Sequence, residues 1–564
     1  MKRTITLIII LTTLLTLIPS QPVLAAGETY SDVPAGSWAV EVIEKARVYG
    51  LFQGKQAGIF GYGQEISRAE FITVICRIFG WEPIKPQTPS FTDVQPENWA
   101  YSNIETALEH NAIDKGGAFK PSAAITREEM AVMLVRALGY TTLADKTEGY
   151  ALPFTDVFTN KGYITIAYDI GMINGTTPAT FAPINTAKRE EAAAMLVRVY
   201  EKYISKTQFL HGFYAFSSYE QRYVTDKMDA VTFGWSQMCL DAQNGIWLNT
   251  GRINENPWAI PDSYELITSY LETRGVKAHL GVHMDISGNS SLREILLSAE
   301  NRAIAAGVIL EESTRAYESI GKSPYSGVTI DFEGLKGPEV KAGFTSFLEL
   351  LSEQLKTRGM TLYVAVQPAL SDGIYFDGFD YRSIGRLSDK VILMAHDYNA
   401  MSLEGFVGTS WHKTTALTPI SSVYYSLRAI TDSNTGVEDK SKIVLALSFA
   451  TIGWEISEND TVISPTPIKP VTSTVRTRLM QGDTVKGWSE IYMNPYITYN
   501  TEEGRRFFLW YEDARSVVEK INLARLFGIN GVSIWRIGTI PDIAGEYDVW
   551  DSIAGSLAER ENAT

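Results

Sequence analysis

In Ser326-Gly327-Val328-Thr329-Ile330-Asp331-Phe332-Glu333, apolar and polar side chains alternate from Val328 onward. A period of two belongs to a strand whose two faces meet different surroundings. Val328, Ile330 and Phe332 suit a covering layer of helices. Thr329, Asp331 and Glu333 then point into the interior of a sheet, with the two acids rising towards one rim. Seven further β-rich runs flank this one: Phe213–Phe216, Ala230–Trp235, Ala278–His283, Leu362–Gln367, Val391–Asp397, Ile443–Phe449 and Gly531–Trp535. Helical patterns lie between them, among them Ser263–Arg274, Glu339–Arg358 and Asp513–Phe527. Eight strands alternating with helices predict an α/β (β/α)8 TIM barrel, a fold whose chemistry sits at the C-terminal ends of its strands. The segment 456–508 is long for a loop after the seventh strand and is expected to form a small subdomain beside the cleft.

Acids at i and i+2 on one strand face are too close to ionise independently, so one of the two carboxyls is expected to be raised. A carboxyl kept protonated near neutrality is what a general acid needs to protonate a leaving sugar oxygen. An internal ion pair with a nearby base is the other reading, set against the cost of burying two acids in a barrel. Tyr214, Trp235, His283 and Gln367 also fall near predicted strand ends and are candidates to line the cleft.

The rest of the chain sets the context. At 564 residues it exceeds one ordinary core, and 45% hydrophobic with 20% charged residues is globular rather than disordered. Lys2 and Arg3, the apolar run 5–18 and the small residues Ala25-Ala26 read as a secretory signal peptide over 1–26. Without Lys2 and Arg3 the formal net charge moves from −15 to −17, which argues against nucleic acid as a partner. No later stretch is apolar enough to span a membrane, so a secreted, membrane-free mature protein is expected. Two cysteines, Cys76 and Cys239, exclude a disulfide framework and a cysteine-rich metal site.

Three internal repeats precede the barrel. They open with Tyr30-Ser31-Asp32-Val33, Phe91-Thr92-Asp93-Val94 and Phe154-Thr155-Asp156-Val157. Trp38 and Trp99 follow the Asp by six residues, where the third copy has Gly162. Each repeat closes on a Phe, then an Arg eight residues later that starts an amphipathic helix: Phe60 to Arg68, Phe119 to Arg127, Phe181 to Arg189. Ser67 and Thr126 suit the N-caps of those helices. An Arg at such a helix start either recognises a carboxylate ligand or pairs with the Asp of a neighbouring repeat, and both readings fit.

This pattern resembles the S-layer homology domain. The resemblance implies an all-α, pseudo-threefold unit that binds pyruvylated secondary cell-wall polymer, with Arg68, Arg127 and Arg189 beside Trp38 and Trp99 in its grooves. Lys188 replaces the hydroxyl residue of the third copy. The repeats are placed at 27–87, 88–150 and 151–204, and the barrel at 205–564.

The barrel resembles glycoside hydrolase family 18, whose fourth strand carries Asp-Gly-x-Asp-x-Asp-x-Glu. Ser326 and Thr329 replace the first two acids, while Asp331 and Glu333 are retained. Met394-Ala395-His396-Asp397-Tyr398 is similar to the family's Met-x-Tyr-Asp segment, and Gly531-Val532-Ser533-Ile534-Trp535 to its last strand. Trp510 to Ser516 looks like the branch acting on spore and cell-wall peptidoglycan. The resemblance implies a retaining, substrate-assisted hydrolase of β-1,4-linked N-acetylglucosamine glycans that needs no metal or organic cofactor. Glu333 is then the proton donor, Asp331 and Asp397 stabilise the intermediate, and His396, Tyr398, Trp535, Thr329, Tyr214, Gln367 and Trp235 line the sugar site. Taken without it, Trp535 also reads as barrel filling and His396 as a neutral interior histidine. Peptidoglycan at the cell wall is the first substrate expected, chitin the second. A glycan-binding surface protein on an inactive barrel is the alternative.

Overall fold

The computed structural model describes residues 30–253, 256–370, 377–542 and 547–558. The expected signal peptide lies outside the described residues. The chain divides into two compact units, Met1–Arg127 with Ile184–Val197, and Glu128–Pro183 with Arg198–Thr564. No helix among the described residues is long and apolar enough to cross a membrane.

The first unit contains helices Val40–Val48, Arg68–Phe79 and Tyr101–Glu109. Ser67 caps Arg68–Phe79 reciprocally with Glu70, as a hydroxyl ahead of an acid should. The three segments leading into the Arg helices join in a closed ring of backbone hydrogen bonds. Ile66 N–H donates to Ala187 O at 3.2 Å, Ala187 N–H to Ile125 O at 3.2 Å, and Ile125 N–H to Ile66 O at 3.0 Å. That ring is the pseudo-threefold centre expected from the repeats. Asp32 accepts from the N–H groups of Phe60, Gly61 and Tyr62, and Asp93 from those of Phe119 and Lys120. The invariant acid of each copy therefore ties the repeat's opening to its own closing Phe. In the second unit Asp156 does the same for Phe181 and Ala182.

The second unit is built on eight parallel strands: β1 Phe209–Tyr214, β2 Ala230–Asp241, β3 Lys277–Asp285, β4 Gly327–Glu333, β5 Thr361–Val366, β6 Lys390–Leu393, β7 Ile443–Ser448 and β8 Gly531–Ile537. Each pairs with its sequence neighbour and β8 pairs with β1, closing a (β/α)8 barrel. The alternation in β4 holds. Val328, Ile330 and Phe332 are fully buried outside the barrel, where Phe332 stacks on Phe347 of helix Pro338–Lys356.

Three strand boundaries differ from expectation by four residues or more. β2 runs on to Asp241 rather than ending at Trp235. β1 starts at Phe209 rather than Phe213, because His211 and Gly212 interrupt the apolar pattern. His211 is nevertheless interior, bonded at 2.8 Å to both Ser533 and Thr232. β6 stops at Leu393 rather than Asp397, whose φ of +59° is left-handed and cannot continue a strand.

The barrel interior is layered. At the floor a hydroxyl–imidazole chain, buried except at its half-buried end Thr361, runs Ser533–His211–Thr232–Thr329–His279–Thr361, each link 2.7 to 3.2 Å. Above it lie Phe213, Tyr363, Ala365, Ile392, Val444 and Ala446. The polar groups of the mouth come last.

Segment 452–510 forms a four-stranded antiparallel sheet, Ile452–Ile456, Val485–Ser489, Asn494–Asn500 and Arg506–Trp510, with helix Thr472–Leu479. Trp454, Phe508 and Trp510 fill one side and Ile497, Phe507 and Leu509 the other. The helix of the third repeat, Lys161–Asp169, also belongs to this unit. Asp169 accepts from Tyr424 Oη at 2.5 Å and Arg428 Nε at 2.7 Å, both on helix Ile420–Ile430.

Candidate active site

Parallel register brings the acids together with a base. His283 on β3 is the partner of Asp331 on β4, and Asp285 is the partner of Glu333. Nδ1 of His283 lies 3.6 Å from Asp331 Oδ2 and 4.0 Å from Glu333 Oε1. Asp331 is 5% exposed, and its Oδ1, like His283 Nδ1, has no hydrogen-bond partner. Gln367 follows β5, donates from Nε2 to Glu333 Oε2 at 3.4 Å, and accepts from Gly334 N–H at 2.7 Å.

Burial, then the charge of Asp331, pushes the Glu333 carboxyl up to about 7, against the opposing pull of His283. Burial disfavours the charged form of His283, but Asp331 and Glu333 outweigh it and leave the imidazole raised. Glu333 is thus held protonated near neutrality, as a general acid requires. One donor atom from each of His283, Asp331 and Glu333 lies within 4.8 Å of the others. Such a trio suits a divalent cation as well as a shared proton.

Across the mouth, Asp397 accepts from His396 Nδ1 at 2.9 Å and from Ser448 Oγ at 3.4 Å. Burial would raise its carboxyl, yet His396, Ser448 and the charge of Lys469 together lower it. His396 Nε2 is buried without a partner. Tyr398 also lines the cleft, its hydroxyl 2.8 Å from Ser426 Oγ. Trp535 stands at the end of β8, edge-on to Phe213, with ring centroids 5.1 Å apart. The cleft holds about 710 Å³ and gathers Asp331, Glu333, Gln367, His396, Asp397 and Trp535.

Three expected lining residues do not line the cleft itself, although Tyr214 borders a neighbouring recess with Trp258 and Trp535. Thr329 is inside the barrel but fully buried in the floor chain, below any substrate. Trp235 and Tyr214 have the wrong parity. Thr232 and Phe213 point inward, so Phe233, Trp235 and Tyr214 point out. Trp235 stacks on Phe233 at 3.8 Å, and Tyr214 packs edge-on against Phe233. Sequence reading missed Trp258, which stacks on His283 at 4.6 Å and stands 6.3 Å from Trp535. It follows β2 in an irregular segment with no periodic signal.

Of the repeat residues, Trp38 and Trp99 are 61% and 65% exposed. Arg68 is partly buried, donates to Phe119 O at 2.8 Å and lies over that ring. Arg127, partly buried, starts helix Arg127–Ala137. Arg189 is not in an open groove. It is 5% exposed, donates to Phe60 O and Gln53 O, and pairs with Glu70 at 3.1 Å. Its carboxylate partner is Glu70 rather than the opening Asp32, whose oxygens are taken by backbone N–H groups.

Residues 199–539 match the family described as Glycosyl hydrolases family 18, and residues 29–72 and 90–131 match the S-layer homology domain. An S-layer protein of Bacillus thuringiensis subsp. finitimus is 33% identical over 31% of this chain and 22% of its own. A putative sporulation-specific glycosylase YdhD of Bacillus subtilis (strain 168) is 26% identical over 39% and 49%, and a cortical fragment-lytic enzyme of the same organism 23% identical over 45% and 58%. The chain therefore spans about a fifth to three fifths of these relatives' lengths. The solved spore cortex-lytic enzyme SleL of Bacillus cereus is 20% identical over 63% of this chain and 75% of that one, with a TM-score of 0.47.

Proposed function

Because the chain belongs to glycosyl hydrolases family 18 and carries S-layer homology repeats ahead of the barrel, we propose that it is a wall-bound glycosidase cutting β-1,4-linked N-acetylglucosamine glycans, peptidoglycan first. The observation that carries this reading is Glu333 held up to about 7 beside buried Asp331 in the barrel mouth. Glu333 gives its proton to the glycosidic oxygen. The acetamido oxygen of the sugar attacks the anomeric carbon, and an oxazolinium forms over Trp535. Asp331 holds the acetamido nitrogen, and Asp397 adds negative charge as the cation develops. Glu333, now a base, takes a proton from water, which opens the ring with retained configuration. The repeats, through Trp38, Trp99, Arg68 and Arg127, hold the enzyme on a wall polymer at the cell surface. The glycosylase and cortical fragment-lytic names of its relatives support the peptidoglycan choice.

A thiazoline analogue of N-acetylglucosamine mimics the intermediate and resists hydrolysis, so it should bind far more tightly than the plain sugar. Calorimetry with both ligands tests this. Equal affinities overturn the substrate-assisted route, and no cleavage of peptidoglycan or chitin oligomers overturns the hydrolase.

A further inference from the structure

Beside Trp535, a recess of about 610 Å³ is walled by Ser448, Lys469, Arg476, Trp535 and Arg536 among others. It adjoins the catalytic cleft, since Trp535 lines both and Ser448 donates to Asp397. Its charge is opposite to that of the cleft and of the chain, which has 65 acidic against 50 basic residues. Lys469 and Arg476 are exposed and make no side-chain hydrogen bond or close ion pair among the described residues, although the charge of Lys469 reaches Asp397. Among the described residues the Arg536 guanidinium donates to Ser217 Oγ, at 2.8 Å. Asp542, the one acid in the lining, accepts from Tyr223 Oη. Polar neutral groups there are already satisfied: Gln221 by Gly538, Ile540 and its own donation to Ile540 O, Thr451 by Pro470 O, and Thr472 by Thr539 O. Among the described residues, three cations thus line one open space against a single carboxylate, Asp542.

We propose that this recess binds a carboxylate carried by the sugar next to the N-acetylglucosamine being cut, so that the enzyme selects carboxylated N-acetylglucosamine glycans over neutral ones. The inference rests on the hydrolase reading above and narrows its substrate. A polymer of N-acetylglucosamine alone gives Lys469, Arg476 and Arg536 no partner. In a chain alternating with N-acetylmuramic acid, each flanking sugar carries a lactyl ether at O3, ending in its own carboxylate or in an acidic stem peptide. Both sources present the same group to the recess.

The full-length Glu333→Gln protein, whose turnover is slowed enough for binding to be measured, distinguishes these cases. Its affinity is measured for peptide-free muramyl glycan strands, for the same strands with the lactyl carboxyl converted to methylamide, for strands bearing stem peptides, and for chitohexaose. Carboxylated strands are expected to bind about tenfold more tightly than methylamide strands or chitohexaose at low salt, the size of two or three exposed charge pairs. The advantage should disappear when Lys469→Gln and Arg476→Gln are added, and shrink at high salt. An advantage confined to peptide-bearing strands assigns the carboxylate to the stem peptide; one shown by bare strands assigns it to the lactyl group. Equal affinity for carboxylated and neutral strands, or an advantage that survives the double substitution, overturns the proposal. Binding by the N-terminal repeats does not depend on these two side chains, so it cancels in the comparison. Wild-type turnover, measured separately, tests the hydrolase reading by itself.

Discussion

Nδ1 of His283 lies 3.6 Å from Oδ2 of Asp331, across two strands on which they are register partners. Both residues also carry a buried atom without a partner, and Trp258 covers the imidazole. A buried imidazole nitrogen without a partner, beside a carboxylate whose Oδ1 is also unpartnered, invites a ligand amide or a proton. His283→Gln removes a positive charge that pulls the Glu333 carboxyl down. The alkaline limb of kcat/KM should therefore move to higher pH while the rate falls about tenfold. A uniform loss at every pH would make His283 merely structural.

Glu333→Gln should lower turnover by about 10²–10⁴-fold. It should also stabilise the fold in a defined window. Glu333 is raised from 4.5 to about 7 in the native state, so above pH 4.5 the unfolded chain gives up this proton first and gains relative stability. That penalty is complete above pH 7. The variant should melt higher than wild type at pH 8 and equally at pH 4, read by calorimetry at both.

Burial pushes the His211 imidazole down to about 3, and burial then the neighbouring His211 push His279 well below its usual value. Both rings should remain neutral in the folded protein at pH 4.5, visible in their ring-nitrogen chemical shifts. The unfolded chain protonates them below about 6.5. Stability held above that pH is lost as pH falls towards 3, at about 1.4 kcal/mol per pH unit for each ring. Protonated rings in the native state would refute the neutral floor chain.

Lys520 Nζ and Glu512 Oε2 form a 2.8 Å pair with both side chains almost fully buried, and Asn494 and Ser516 complete the carboxylate. Lys520→Met leaves Glu512 buried without its counter-charge and should cost about 3–5 kcal/mol. Adding Glu512→Gln should recover part of it. Urea unfolding of the single and double variants measures both.

Trp38→Ala with Trp99→Ala should abolish binding of the full-length protein to wall sacculi without changing its melting temperature, because both indoles are exposed. Arg189→Ala should instead lower the melting temperature, since its guanidinium joins Phe60, Gln53 and Glu70. Sacculus pelleting and thermal melts check the two outcomes.

The barrel, the repeats and the acid pair were legible because each is periodic. A two-residue alternation put Asp331 and Glu333 inside β4, and a fixed spacing from Asp to Phe to Arg marked each repeat. Parity also placed Trp235 and Tyr214 outside once Thr232 and Phe213 were known to point inward. What failed was reading proximity to a strand end as proximity to the cleft. The meeting of His283 with Asp331 depends on the register of β3 against β4, which no local pattern encodes. Trp258 reaches His283 from an irregular segment. Arg476 and Arg536 reach one recess from 60 residues apart in the sequence. The sequence by itself determined which faces are apolar, because burial follows local periodicity. Only the tertiary structure decided which polar groups share a space, because strand register, chain closure and loop paths are set by packing across the whole barrel.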